Sequence, residues 1–259
     1  MLNLSFSIAE LEYFLLIVVR TTGFIFSAPF FGNPAVPRRV RIGYGVLFSI
    51  LLYYILPSQA VEYNSIVGYA VIVIKETFTG LIIGYGANIC STVLALAGHL
   101  VDMEIGLSMV SVFDPTTNQQ ITITGSFYQN TVSLMLFISG LYQYILVALK
   151  QSFELIPING AVFASDKLLE SVLRFLYDYV NIGFRIALPV FCSILLLNSV
   201  LGILAKVSPQ LNMFAVGIQL KIMCGLFILF ATINLLPEVS SFILKETQKL
   251  VTMFLESML

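Results

Sequence analysis

The chain has 259 residues and a formal net charge of −1, with 58% hydrophobic and 10% charged residues, where a water-soluble domain carries about 25% charged. Mean hydropathy is +0.96. These values exclude an ordinary soluble domain and point to a membrane or membrane-assembly protein, while the near-zero charge leaves no basic field for nucleic acid and no acidic tail.

The opening MLNLSFSIAELEYF carries Glu10 and Glu12 where a signal peptide would carry lysine or arginine, and no small-residue cleavage site closes the next apolar run, so no cleaved signal is expected. Measured against a membrane-spanning length of ~20 residues, about six hydrophobic segments then run from Tyr13 to Phe31, Ile42 to Ile55, Ile66 to Gly98, Ile121 to Leu149, Val180 to Val207 and Leu211 to Leu236. Apolar residues surround each of them, as in helices buried on all sides by lipid or protein. No β-type alternation competes, so the predicted fold is all-α. The connectors GNPAVPRRVR, LPSQAVEYNS and LIPINGAVFASD read as turns, because proline fixes φ and lacks a donor.

Two charged stretches differ from the rest. Asp166 to Tyr179 repeats leucines and aromatics at helical spacing among charges and predicts a short amphipathic helix. In the last segment Val239, Ile243, Leu250, Phe254 and Met258 fall near one face, predicting a helix packed on a partner or a membrane surface. Cys90, Cys192 and Cys224 lack metal or redox spacing and read as buried small hydrophobes.

Charges inside the apolar segments complicate a plain bundle in lipid. Arg20, Lys75, Glu76, Arg185 and Lys221 each sit where insertion costs about 2.5–3.5 kcal/mol, so they need partners on other helices or other chains. Lys75 and Glu76 are adjacent and point about 100° apart on a helix, which prevents simple mutual neutralisation. If six spans alternate, Arg38, Arg39, Arg41 and Lys206 fall on one side and Lys150, Lys167, Arg174, Lys245 and Lys249 on the other. Neither side is the positive one. Helices that look like membrane spans but are buried in a protein assembly would explain both features. Gly80 and Gly84, four apart and one turn beyond Glu76 on the same face, predict a close helix contact.

Between the third and fourth segments lies MEIGLSMVSVFDPTTNQQ, a soft apolar loop ending in polar turn residues. Methionine offers an adaptable apolar surface, Gly106 supplies a bend, Met109, Val110, Val112 and Phe113 supply bulk, and Asp114 and Pro115 close the loop with turn chemistry. No catalytic motif is present. His99, Asp102 and Glu104 have spacing that splits their faces, unlike paired metal ligands, and read as a solvated helix end.

The stretches RTTGFIFSAPFF, PRRVRIGYG, KETFTGLIIG, AGHLVDMEIGLSM followed by FDP, RIALPVFCSILLLNSVLGILAKVSPQLNMFAVGIQLK and GLFILF resemble, in order, the flagellar FliR family and its injectisome counterparts, the SctT group. The most specific element is Lys206 to Lys221; Lys206 stands where many members have arginine, keeping the charge but losing bidentate geometry. The resemblance implies a subunit of a type III secretion export gate in the bacterial inner membrane, at the flagellar basal body, and PQLNMFAVG sides with the flagellar branch. It implies FliP-like, FliQ-like and FlhB-like partners, unfolded secreted proteins as substrates, no cofactor and no enzymatic activity. It further implies a FliP-like region over 1–179 that includes a plug loop over 106–120, a FliQ-like hairpin over 180–237 and a C-terminal amphipathic helix over 238–259. Arg20, Lys75, Glu76, Arg185, Lys206, Gln210, Asn212 and Lys221 are expected at polar contacts between subunits, and Gly80 and Gly84 at a close helix crossing. The competing reading is a self-contained secondary transporter or ion channel with Glu76, Arg185 and Lys221 along its path. That fold would need matching halves, and no internal repeat is found.

Overall fold

The computed structural model describes residues 8–32, 36–57, 61, 63, 65–110, 112–114, 119–208 and 213–259. The fold is all-α apart from one short ribbon. Helices α1 (Ile8–Ser27), α2 (Arg38–Ile55), α3 (Ile66–Ala87) and α4 (Ile89–Ile105) come first. A 3-10 turn (Leu107–Val110) and strands β1 (Val112–Asp114) and β2 (Gln119–Ile121) follow. The remainder is α5 (Ile123–Ile138), α6 (Leu141–Leu155), α7 (Ser165–Val207), α8 (Met213–Thr232), a 3-10 turn (Ile233–Leu235) and α9 (Leu236–Glu256).

Local chemistry explains most of these boundaries. Ser65 caps α3 by accepting the Gly68 amide at 3.2 Å, and Thr122 caps α5 by accepting the Gly125 amide at 3.2 Å. Helix α2 begins directly after Pro37 and ends at Ile55, with Leu56 as its extended C-cap before Pro57. Two predicted segments are each broken in two. Ile66 to Gly98 divides at Asn88, and Ile121 to Leu149 divides at Gly140, whose φ of 84° breaks the helical run. Elsewhere predicted segments merge. The amphipathic stretch and the fifth segment form the single 43-residue helix α7, which continues through Pro189; Ser193 Oγ donates to the Pro189 carbonyl at 2.8 Å. The final stretch continues from α8 through the 3-10 turn into α9.

The helices form two compact units, one from residues 1–89, 140–175 and 245–259 and the other from 90–139 and 176–244. In the first, α1 packs along α3 and α2, with Leu16, Ile17, Phe24, Ile25 and Ile83 fully buried. Each such side chain contributes about 1.5–3 kcal/mol. Tyr53 of α2 meets Phe14 of α1 edge-on, at 5.7 Å between ring centroids. The apolar stripe of α9 is covered by the chain itself rather than by a partner or membrane: Leu250, Phe254 and Met258 are buried. Phe254 lies 6.2 Å from Phe175 and fills the space a Gly86 Cβ would take. The second unit has Val93, Leu94, Val101, Ile105, Val132 and Leu136 in its core.

Among the described residues, α3, α7 and the run Ala215–Glu256 are long and apolar enough to cross a membrane, with the bent pair α5 and α6 as a fourth if counted as one span. Their surfaces stay apolar outward: Leu196 and Phe227 are each 70% exposed. Cys192, read from sequence as buried, is also exposed on α7, because that helix turns only one stripe toward its own chain.

Candidate functional site

The first polar constellation is a closed network in the α1, α2, α3 and α6 unit. Arg20 and Glu76 are both fully buried and form an ion pair, with Arg20 Nε donating to Glu76 Oε2. Arg20 and Glu76, expected at polar contacts between subunits, instead pair within the chain, between α1 and α3, where neither is left exposed to meet another subunit. Gly80 and Gly84 permit the approach, since a Cβ on either would strike the α1 backbone at Arg20, Phe24 or Ala28. The remaining guanidinium donors reach the end of α6. Arg20 Nη1 donates to the Ser152 carbonyl at 3.1 Å and the Ile156 carbonyl at 2.8 Å, and Nη2 donates to the Pro157 carbonyl at 3.5 Å. The Phe153 ring lies beneath, 4.4 Å from the guanidinium carbon. A cation over the last carbonyls of a helix completes its C-terminus and complements its dipole. On the other side Glu76 Oε1 accepts the Asn159 amide at 2.9 Å, where Asn159 holds a left-handed φ of 66°. One ion pair therefore joins α1, α3, the end of α6 and the turn beyond it.

The second constellation is the loop between α4 and α5. Gly106 ends α4 with a φ of 91°, a conformation that suits glycine. Met109 and Val110 lie in the 3-10 turn. Val112, Phe113 and Asp114 pair antiparallel with Ile121, Gln120 and Gln119. Pro115 lies outside the described residues. The ribbon is a feature that the sequence reading missed; its three-residue strands are too short for alternation to register.

At the base of this loop the structure corrects one reading. Asp102 is fully buried rather than part of a solvated helix end, while His99 is exposed. Asp102 Oδ2 accepts the Thr124 amide at 3.0 Å, and Oδ1 accepts the Thr124 hydroxyl. Below it α4 and α5 touch backbone to backbone, since a Cβ on Gly98 would fall on Gly125. Nothing in the spacing of Asp102 signals this, because its partner lies beyond the loop.

The other candidate residues stay apart. Lys75 and Lys221 are half-buried and Lys206 is exposed, and none of the three forms an ion pair among the described residues. Arg185 is exposed and sits over the Phe242 ring at 5.6 Å. Gln210 and Asn212 lie outside the described residues. No cluster of three or more histidine, cysteine or acidic side chains suited to a metal occurs among the described residues. The arrangement offers packing surfaces, a locked ion pair and a tethered loop.

The family described as bacterial export proteins, family 1, matches residues 11–247. The chain is 28% identical over 228 residues to the flagellar biosynthetic protein FliR of Bacillus subtilis, covering 86% of each chain. It is 27% identical over 244 residues to the protein of that name from Aquifex aeolicus, covering 94% of this chain and 93% of the other. For the Escherichia coli protein the identity is 24% over 226 residues, covering 87% of this chain and 84% of that one.

Proposed function

The chain belongs to the bacterial export proteins, family 1, and on that premise we propose that it is a non-enzymatic, membrane-embedded subunit of the flagellar protein export gate. The observation that carries this reading is the span of the family match, residues 11–247, which includes the loop between α4 and α5 and both long helices. It sits in the bacterial inner membrane at the basal body. There it joins FliP-like and FliQ-like subunits, contacts an FlhB-like subunit and lines the path of unfolded secreted proteins. Residues 1–179 form the FliP-like part and 180–237 the FliQ-like hairpin. In support of the hairpin, Leu201 of α7 faces Gly217 of α8, with 3.6 Å between Leu201 Cδ1 and the place a Gly217 Cβ would take. The outward apolar residues of these helices, Leu196 and Phe227 among them, are the surfaces that neighbouring subunits and lipid cover. Lys75, Arg185, Lys206, Gln210, Asn212 and Lys221 supply the polar contacts between subunits.

The loop over 106–120 is the plug. Its adaptable apolar residues Met109, Val110, Val112 and Phe113 close the resting conduit against ions and yield to a passing chain. Two measurements test the proposal. Expressed alone the chain should aggregate, and with FliP-like and FliQ-like partners it should purify as one complex; a monodisperse, substrate-binding protein obtained alone would overturn the reading. Deleting residues 106–118 should leave an assembled complex that conducts ions in a planar bilayer. An assembled deletion complex that conducts no more than the intact one would remove the plug role.

A further inference from the structure

Helix α3 has two opposite faces. Ile72, Glu76, Thr79, Gly80 and Ile83 are buried on the side that meets α1, and Glu76 is committed there to Arg20 and the Asn159 amide. On the far side Val67, Val71, Ile74 and Phe78 recur at intervals of four, three and four residues and are between 49% and 73% exposed. That spacing is the alternating seam along which one helix packs on another, so the face fits a helix. The seam is bounded at both ends. Ser65 caps α3 before it, and beyond it Tyr85 lies against Phe175, with 4.9 Å between ring centroids. Lys75 directly follows Ile74 at the edge of the seam, the flanking position at which facing helices exchange charge pairs.

Lys75 selects among the occupants this face could take. It is half-buried, and its ammonium has no ion pair or hydrogen-bond acceptor among the described residues. It stands near the middle of the 22-residue α3, about 13 Å or more from either end at 1.5 Å per residue, too deep for a four-carbon stem to carry the charge to a headgroup. Lipid alone would leave that ammonium without a counter-charge at bilayer depth. The α3 of a second copy supplies none either, because Glu76, the acid at this level, faces α1 and both its oxygens are taken. We infer that the α3 seam seats an apolar helix of a different, neighbouring subunit, which carries one aspartate or glutamate level with Lys75 among apolar residues that meet Val71, Ile74 and Phe78. The inference deepens the export-gate reading and rests on it, by naming the chemistry of the partner that Lys75 meets.

The test uses the complex purified with FliP-like, FliQ-like and FlhB-like partners. Lys75→Met, which strands the partner's carboxylate, should lower the yield of complex several-fold; Lys75→Glu should lower it further, and Lys75→Arg should stay near the wild-type yield. Acidic residues within the apolar segments of the partners are then changed to lysine one at a time, and one such change should restore assembly of the Lys75→Glu chain. A photoreactive benzoylphenylalanine in place of Phe78 should crosslink to the same partner helix that carries the restoring change. Equal yields of the wild type, Lys75→Met and Lys75→Glu would overturn the inference, as would a loss in Lys75→Glu that no partner change reverses. Crosslinking to lipid alone would assign the face to the bilayer and overturn it. Reaction of Lys75→Cys with a water-soluble maleimide in the assembled complex, in a background with Cys90, Cys192 and Cys224 replaced by alanine, would turn the face to water and do the same. Failure of the unaltered chain to form the complex would strike the export-gate reading and the inference with it, whereas assembly indifferent to Lys75 strikes the inference alone.

Discussion

Arg20 illustrates how a charge that is costly in an apolar segment becomes a determinant of the fold once its donors are used. Four hydrogen bonds and an aromatic face surround a guanidinium with no exposure to solvent. Removing one member of a buried pair leaves the other charge uncompensated, at a cost of about 3–5 kcal/mol. Glu76→Gln keeps an acceptor for the Asn159 amide but strands the Arg20 charge, so it should lower the heat-aggregation midpoint of the purified complex strongly. Arg20→Lys should be nearly as damaging as Arg20→Ala, because a single ammonium cannot span Glu76 and three carbonyls of the 152–157 segment. The double variant Arg20→Met with Glu76→Leu should recover only part of the loss, since the Ser152, Ile156 and Pro157 carbonyls and the Asn159 amide remain without partners. A double variant as heat-stable as the wild type would show that the network contributes nothing beyond volume.

At the scale of helices, the α1 and α3 contact depends on two missing side chains. A Cβ at Gly80 would overlap the Arg20 carbonyl and one at Gly84 the Ser27 hydroxyl, whereas Gly43 and Gly202 face open space. Gly80→Ala and Gly84→Ala should therefore force the helices apart, stretch the Arg20–Glu76 pair and reduce the yield of intact complex. Gly43→Ala should be neutral or stabilising by about 0.5–1 kcal/mol, through helix propensity alone. Equal yields across Gly80→Ala and Gly43→Ala would dismiss the close crossing as a determinant. The Gly80 and Gly84 spacing and the need of Arg20 for a partner were legible because each shows in a few consecutive residues. Which carboxylate Arg20 meets was not, since Glu76 is 56 residues away and the pairing follows from how two helices cross. Asp102 was misread for a similar reason: its burial depends on α5, across a loop whose path no periodicity reveals. The breaks at Asn88 and Gly140 lie inside uniformly apolar runs, where hydropathy carries no signal of direction. The fusion into α7 was hidden by the change from charged to apolar character at an uninterrupted helical backbone.

For the whole molecule, helix length and charge distribution together constrain what a bilayer can contain. Helix α7 has 43 residues and is about 65 Å long at 1.5 Å per residue, roughly twice the ~30 Å hydrocarbon core. The run Ala215–Glu256, at 42 residues, is similarly about 63 Å long. Each changes character along its length. Asp166, Lys167, Glu170, Arg174, Asp178 and Arg185 lie in the first half of α7, and residues 186–205 carry no charge; Glu238, Lys245, Glu246, Lys249 and Glu256 lie in the second half of the other run, whose first half carries the single charge of Lys221. A charge at bilayer depth costs about 2.5–3.5 kcal/mol on insertion scales, so the charged halves belong outside the hydrocarbon layer and the apolar halves inside it or inside the assembly. Single cysteines at Leu173 and Tyr177, 57% and 63% exposed, should react with a water-soluble maleimide in the membrane-embedded complex. Cysteines at Leu196 and Phe227, which are more exposed on the isolated chain, should not react until the complex is dissociated in detergent. Quenching by bromine-labelled lipid then identifies what covers the apolar halves: strong quenching means lipid contact, and weak quenching means that neighbouring subunits enclose them. Failure of the Leu173 and Tyr177 positions to react, together with lipid quenching as strong as at Leu196, would place the full length of α7 at bilayer depth and defeat the division.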